Sequence, residues 1–380
     1  MSQAIARSTS VDFLRGLSLI AISIDHVPQS LLAHLTLHAY AYCDAAEVFV
    51  FLGGYASAAA YGSMIARGGA SFARRRFIRR TVQIYRAYLL TAGLMLLVGL
   101  AMLALHIHTA ALAYTYAAQL LDRPLQTLFD IAMLRSQPYL AAVLPMYMGF
   151  ALCVPLLAPV SGRWPGIALV ASLSLWLCAP ALARLLPSAE PGGWAFNPFA
   201  WQLMFVLGML CRLHPVPTAF QTSRMGLRLT WLALAVALAF ATYKLFLESQ
   251  SEPGYLKQNL SYLRVVSFVS IAWMVAQLTR LGCIDRLASA LPSVVKVGRQ
   301  GLVCFVCGAL ISIVANTAMD TAVPALNTRV QGIAAALSTD ALTIAAVLGV
   351  AMVATSLRAN RRPCRGHRGT QPAPTSKAAG

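Results

Sequence analysis

The sequence predicts an all-α protein that crosses a membrane many times as a helix bundle. Of its 380 residues, 58% are hydrophobic and only 11% are charged, whereas soluble domains carry about 25% charged residues. The apolar runs approach or exceed the roughly 20 residues that a membrane-spanning helix needs, and they lack the alternation of a transmembrane strand. About ten helical spans are therefore predicted, at 12–33, 44–66, 81–105, 139–159, 166–186, 197–213, 229–248, 261–281, 299–319 and 331–356.

The distribution of basic residues predicts the orientation of these spans. With the N-terminus in the cytoplasm, 23 of the 30 Lys and Arg residues fall on the cytoplasmic side, as the positive-inside rule requires. An even number of spans then places both termini in the cytoplasm. Residues 1–357 are predicted to form one domain embedded in the lipid bilayer, and residues 358–380 a basic, disordered cytoplasmic tail.

The formal net charge of +18 would suggest a nucleic-acid partner in a soluble protein. Here the basic residues follow the topology, and no aromatic platform accompanies a basic groove, as single-strand binding would require. No nucleic-acid partner is predicted.

The first span carries charge at depths where charge is costly, and such residues are functional candidates by default. Arg15 lies at its start, and Asp25 and His26 lie in its far half, just before Pro28, which is expected to loosen the helix. Eleven residues separate Arg15 from His26, which is about 16 Å of helical rise and close to three turns. His26 is predicted to be a general base supported by Asp25; a histidine that merely reaches lipid headgroups is the alternative.

The second span begins with two acids. Asp44 is well placed to cap the first turn of the helix and is predicted to be mostly structural. Glu47 is predicted to orient His26 or to stabilise its imidazolium, as the acid does in a catalytic triad. The alternative is an ordinary N-terminal acid that is favoured by the helix dipole.

A basic run at 74–80, followed by Arg86, precedes and opens the third span. It either sets topology and attracts anionic lipid or binds the phosphates of a cytosolic donor, for which arginine is well suited. Arg79, Arg80 and Arg86 are the deepest members, and they are predicted to point into the bundle.

Two long connections lie on the predicted outer side. The first, at 106–138, contains a stretch that is predicted to form a short interfacial helix. The second, at 187–198, is too rich in Pro and Gly for a regular helix. At its end Asn197, Trp201 and Gln202 place two amides and an indole at the outer mouth, which suits contact with a sugar, although membrane interfaces attract Trp in any case.

The remaining polar residues in apolar segments are weaker candidates. His34 and His38 have no further ligands at suitable spacing, so no metal site is predicted. Cys304 and Cys307 are interpreted as ordinary buried thiols. Asp340 is expected to face the interior of the bundle with an unknown partner.

Several short motifs, in order along the chain, make the sequence resemble the OpgC family, named for proteins that succinylate osmoregulated periplasmic glucans. Through that family it resembles the acyltransferase-3 membrane superfamily, whose Arg and His, with ten residues between them, fall on Arg15 and His26. The motifs are DFLRG at 12–16, HVP at 26–28, DAAEVFVFL at 44–52, YRA at 85–87, LPMY at 144–147, FNP at 196–198, WQ at 201–202 and GRQ at 298–300.

The resemblance implies an enzyme of the bacterial inner membrane that transfers an acyl group, succinyl first of all, from cytosolic acyl-CoA to a hydroxyl of a periplasmic glucan or other glycan. His26 would be the base and Glu47 its support. Acyl-CoA would be a substrate, and no bound cofactor is expected. The residues on the donor side would be Arg15, Arg79, Arg80 and Arg86.

At four positions the sequence departs from the family pattern. Ser, His, Asp and Ser are usual where this chain has Gly53, Tyr88, Ala142 and Gly301. Three of these changes remove a polar side chain, which leaves the substrate and the level of activity open.

Two other classes of function compete with an acyltransferase. A transporter or flippase for a glycan or lipid-linked intermediate needs a polar path between alternating halves, whereas this chain concentrates its charge in the first three spans. A non-catalytic subunit of a glucan-synthesis assembly is supported only by the four departures.

Overall fold

The computed structural model describes residues 8–27, 29–247, 254–322 and 328–360. These residues are mostly helical and contain no strand. In the first half the α-helices are α1 Thr9–Asp25, α2 Leu37–Tyr40, α3 Ala45–Ala104, α4 Ala110–Ala113, α5 Ala117–Asp122, α6 Pro124–Ala132, α7 Val143–Arg163, α8 Pro165–Leu177 and α9 Ala179–Leu182. In the second half they are α10 Pro198–Leu213, α11 Thr218–Thr222, α12 Arg224–Phe246, α13 Gly254–Gln258, α14 Tyr262–Arg280, α15 Cys283–Ala290, α16 Pro292–Arg299, α17 Gly301–Ala322 and α18 Arg329–Asn360. Three short 3₁₀ helices cover Leu32–Leu35, Tyr139–Ala141 and Ala183–Leu185.

A membrane helix bundle fits these elements. Within the described ranges, six helical segments are long and apolar enough to cross a membrane, and a bent seventh is formed by α8 with the turns up to Leu185. The six are Ala45–Ala104, Tyr139–Arg163, Arg224–Phe246, Tyr262–Arg280, Gly301–Ala322 and Arg329–Asn360. The predicted count of about ten spans is not confirmed by this measure, because α1 and α10 have 17 and 16 residues and α3 counts once.

The second and third predicted spans are joined in α3, which is 60 residues long. At about 1.5 Å per residue, a straight helix of this length would be roughly three times as long as a bilayer core is thick. The helix is broken at Gly69, whose φ of 73° lies in the left-handed region that glycine adopts without steric cost. The chain therefore changes direction inside α3, between the two predicted spans.

The other boundaries follow local sequence. The fifth predicted span is bent by 63° between α8 and α9, where Pro180 lies in the first turn of α9 and has no N–H to continue α8. The short helix predicted within 106–138 is present as α6. The last helix reaches Asn360, past the predicted tail boundary at 358; the rest of that tail, like Pro28, lies outside the described residues.

The core lies where α3 packs between α7 and α10, with Trp201 and Phe205 among its largest buried side chains. Another layer is formed by α1 against α16 and α17. By contrast α12, paired with α14, exposes apolar residues such as Trp231, Leu232 and Leu238. Such a face suits contact with lipid.

Two glycines bring the DFLRG motif of α1 into contact with the GRQ motif at the end of α16. A Cβ built on Gly298 would lie 1.8 Å from the carbonyl oxygen of Asp12, and one on Gly16 would lie 2.0 Å from that of Val294. The backbones of α1 and α16 therefore touch, as small residues permit in helix pairs within membranes. Arg299 reinforces the crossing through Asp12, at 3.3 Å. This contact fixes α1, and with it His26.

Candidate functional site

A cavity of about 780 Å³ opens at one end of the bundle. It lies between the C-terminal half of α1, the start of α3, the middle of α17 and the segments that precede α7, α10 and α14. Its lining is mainly apolar and aromatic with a few convergent polar groups, the usual composition of a small-molecule site. In the predicted orientation this end of the bundle faces the periplasm.

His26 lines this cavity at the C-terminal end of α1. Its Nδ1 lies 2.6 Å from the carbonyl oxygen of Ile22, one turn earlier in the same helix. A carbonyl can only accept, so Nδ1 carries a proton, and in the neutral imidazole Nε2 then keeps its lone pair. The imidazole meets Tyr139 edge to face, with the ring centroids 5.6 Å apart. A neutral imidazole held in this tautomer has the form that a general base requires.

Asp25 also lines the cavity, beside His26. Its Oδ1 accepts a hydrogen bond of 2.7 Å from the hydroxyl of Thr36. That bond ties the end of α1 to the loop that leads into α2. Leu32, in the same loop, donates its N–H at 3.0 Å to Asp340 of α18, which identifies the unknown partner of that buried acid.

The two acids at the start of α3 belong to a buried cluster of charges. Asp44 accepts from the N–H of Ala46, as predicted for an N-cap, and Glu47 reaches back to the N–H of Asp44 at 2.9 Å. Arg264 of α14 lies 2.6 Å from Glu47 and 3.1 Å from Asp44. Lys257 of α13 lies 2.6 Å from Asp44. The cluster therefore joins α3, α13 and α14 through opposite charges.

This cluster corrects one predicted contact. Glu47 was expected to orient His26, but its carboxylate bonds to Arg264 and to the backbone of Asp44. The geometry of the imidazole is instead set by the carbonyl of Ile22. Glu47 lies behind the cavity wall with no exposed surface, whereas Asp44 and Lys257 reach the cavity.

The predicted acceptor residues are buried in the scaffold instead of at an open mouth. Asn197 caps α10 and donates to the carbonyl of Ala179 and to Asn259. The Trp201 indole donates to the carbonyls of residues 257 and 258. Gln202 exchanges hydrogen bonds with Ser172 of α8. Because protein groups satisfy these side chains, they position the cavity wall and do not line it.

The residues predicted to bind the acyl donor lie towards the other end of the bundle. The guanidinium of Arg15 lies 5.9 Å from the centroid of Phe49, whose ring lines the cavity. Arg80 is close enough to Arg15 and Arg358 for their charges to act on it. Arg79, Arg80 and Arg86 were expected to point into the bundle; all three are exposed to a large extent. Long arginine side chains reach water from such positions.

Sequence reasoning missed several residues of the site. Arg264 is a charge inside an apolar run, and the rule that marked Arg15 would have marked it too. Tyr114, Tyr139 and Trp194 line the cavity from the outer connections; no spacing in the sequence singles them out. Tyr88, one of the four departures, donates to the carbonyls of residues 131 and 136 and so anchors the first connection.

Comparison with known proteins identifies the family. The family model described as OpgC protein matches residues 7–359, which is nearly the whole chain. No curated protein and no solved structure matches it significantly.

Proposed function

The chain belongs to the OpgC family, and from that premise we propose that it is a membrane O-acyltransferase of the bacterial inner membrane. Its donor would be a cytosolic acyl-CoA, with succinyl-CoA the first choice, and its acceptor a hydroxyl of a periplasmic glucan or other glycan. Family membership supports a glucan-modifying membrane protein. The identities of the acyl donor and of the acceptor, and the transfer chemistry itself, are what we propose.

The observation that carries the proposal is the state of His26 in the cavity. Its Nδ1–H is engaged by the carbonyl of Ile22, so the lone pair of Nε2 is left to act on a bound hydroxyl. The bond to its own helix holds the ring without the help of an acid. A base positioned in this way typically contributes about 10²–10⁴-fold to a proton-transfer step.

The reaction would proceed by attack of the acceptor oxygen on the thioester carbonyl carbon. His26 takes the hydroxyl proton as the C–O bond forms, and the C–S bond then breaks. The same proton passes from the imidazolium to the departing CoA thiolate, which leaves free CoA and an acyl ester of the glycan. Glu47 and Asp44 would act from behind, by holding the start of α3 against α13 and α14.

The outer part of the cavity suits a saccharide. Tyr114 and Tyr139 stack on each other with centroids 4.7 Å apart, and Tyr139 also contacts His26. Trp194 adds a further ring, and the carboxylates of Asp25 and Asp44 add acceptors for sugar hydroxyls. We assign acceptor contact to this wall, with Asn197, Trp201 and Gln202 as its supports.

The opposite end of the bundle suits the phosphates of the donor. Arg15 and Arg80 lie near each other, and guanidinium groups pair well with phosphate oxygens. In this proposal the CoA moiety stays on the cytoplasmic side and its acyl arm extends along α1 towards His26. Arg79 and Arg86, which are exposed on the same helix, would add attraction for CoA phosphates or for anionic lipid.

The proposal takes the chain as ten crossings with both termini in the cytoplasm. Division of α3 at Gly69 adds one crossing, and α1, α10 and the bent α8–α9 segment add three to the six that length alone identifies. Reporter fusions would test this arrangement. One placed after His214 should report cytoplasm and one placed after Gly193 periplasm, and the reverse result would overturn it.

His26→Ala tests the assigned chemistry. We expect transfer of radiolabelled succinyl from succinyl-CoA to a glucan acceptor, measured with purified protein in liposomes, to fall by about 10²-fold or more. The melting temperature should change little, because the lost hydrogen bond lies within one helix. His38→Ala is the matched control, since His38 lines the same cavity and burial lowers the pKa of its imidazole. Full activity in His26→Ala would eliminate this mechanism.

A further inference from the structure

The inner end of the cavity is closed by an apolar floor to which four helices contribute one residue each. Phe49 and Phe305 form its centre, with stacked rings whose centroids are 6.4 Å apart. Leu19 and Val143 also line the cavity there. We call these four residues the floor: Leu19 of α1, Phe49 of α3, Val143 of α7 and Phe305 of α17.

Four residues further from the cavity on each of these helices lies a second set. Four residues correspond to about 6 Å of rise and return the side chain to nearly the same face. The set therefore forms a layer directly beneath the floor. We call it the lower layer: Arg15 of α1, Gly53 of α3, Tyr147 of α7 and Gly301 of α17.

The contacts within the lower layer are close and specific. A Cβ built on Gly53 would lie 2.9 Å from a ring carbon of Tyr147 and 3.1 Å from its hydroxyl oxygen. One built on Gly301 would lie 3.3 Å from Nη2 of Arg15. Both polar groups also contact the floor. The Tyr147 ring meets Phe49 edge to face with centroids 5.5 Å apart, and the Arg15 guanidinium lies 5.9 Å from the centroid of the Phe49 ring. The two glycines thus let Tyr147 and Arg15 pack directly against the backbones of α3 and α17, where a larger residue would displace them.

Among the residues that the structure describes, the buried hydroxyl of Tyr147 has no hydrogen-bond partner. Buried hydroxyls are rarely left in this state, because an unpaired polar group away from water is unfavourable. Tyr88, by contrast, bonds to two backbone carbonyls. An unpaired phenol between the floor and the basic end of the bundle is a hydrogen-bond donor that lacks its acceptor.

We infer that the hydroxyl of Tyr147 donates a hydrogen bond to a carbonyl oxygen of the acyl-pantetheine arm of the donor, in a passage formed by the lower layer. The inference rests on the proposed function, since it assumes an acyl-CoA donor. An acyl thioester arm is narrow, largely apolar and carries a few carbonyl acceptors, which matches one phenol donor between two glycines. The floor residues Phe49 and Phe305 lie between the lower layer and the acceptor cavity.

Tyr147→Phe tests this assignment, because a ligand-binding hydroxyl and a structural hydroxyl predict different changes in the stability of the unliganded protein. If the hydroxyl serves a ligand, its removal leaves the melting temperature of the unliganded protein unchanged or raises it. The apparent Kd for succinyl-CoA, measured from the ligand-induced thermal shift, should rise about threefold to tenfold. Tyr88→Phe is the contrasting variant, which should lower the unliganded melting temperature.

Unchanged succinyl-CoA affinity in Tyr147→Phe would overturn the inference, and so would a marked loss of unliganded stability. The proposed function would survive either result if the wild-type protein binds succinyl-CoA and transfers the acyl group. A wild-type protein that shows neither property would overturn both.

Substitution of the glycine beneath Phe305 gives an independent check. Gly301→Ala places a methyl group 3.3 Å from the Arg15 guanidinium, so it should displace that group and weaken succinyl-CoA binding. Gly149→Ala is the matched control, because Gly149 lies only two residues from Tyr147 and a Cβ there would meet no described residue within 4 Å. Equal affinities in the two variants would contradict a passage at the lower layer.

Discussion

Two groups of charged residues lie in apolar helices of this protein, and their surroundings differ. At the cavity end, the side chains of Asp44, Glu47 and Arg264 are at most 9% exposed, and each lies within 3.1 Å of an opposite charge. At the other end Arg79 and Arg80 are exposed. Charged residues in apolar segments therefore have two different roles. Buried and paired charges support the fold, whereas exposed charges are available to bind a ligand.

The physical reason is the cost of removing a charge from water. A buried ion is tolerated when an opposite charge and hydrogen bonds compensate it, and removal of one partner then exposes the full penalty. An exposed arginine keeps its hydration and does not depend on neighbouring charges for its stability. Its guanidinium can therefore exchange water for phosphate oxygens of a donor or of a lipid headgroup.

The largest expected effect comes from breaking the paired cluster. Arg264→Gln leaves Asp44 and Glu47 buried beside each other with Lys257 as the remaining cation of the cluster. We expect a loss of about 3–5 kcal/mol in the free energy of unfolding, the usual result of removing one partner from a buried pair. Reversible unfolding in mixed detergent would measure it. Unfolding like that of the wild-type protein would show that the cluster is not structural.

Lys257→Gln is the control within the same cluster. The Lys257 side chain is 38% exposed, so screening by water limits the effect to about 1 kcal/mol or less. Burial opposes the charge on Lys257, but the carboxylates of Asp44 and Glu47 outweigh it and raise its pKa. Because the pKa is raised on folding, the contribution is complete below the ordinary value of 10.5 and is lost as pH rises through the raised one. The wild type and this variant should therefore converge in stability at strongly alkaline pH.

A smaller effect on stability, but a selective one on donor binding, is expected at the exposed end. Arg80→Gln should weaken succinyl-CoA binding by about tenfold or more, the value of a charge-assisted hydrogen bond, because Arg80 lies near Arg15. Arg79→Gln should have less effect, and both variants should melt like the wild-type protein. Equal losses in the two variants would indicate general attraction of anions by the basic run.

Part of the site was predictable because its signals are local. Asp44 is an N-cap whose bonds depend on residues within three positions, and it was predicted as such. The location of His26 in the far half of the first span follows from counting residues. The roles of Glu47, Asn197 and Gln202 depend on contacts between distant helices, and there the predictions differ from the contacts observed.

The sequence by itself determined that this is a membrane bundle of helices, because hydropathy and helical length depend only on consecutive residues. It also determined the family, since the family model matches nearly the whole chain. Only the tertiary structure decided that Arg264 neutralises Glu47 and that Gly53 and Tyr147 meet beneath Phe49. These partners are 217 and 94 positions apart, and only the packing of helices specifies which side chains meet across such distances.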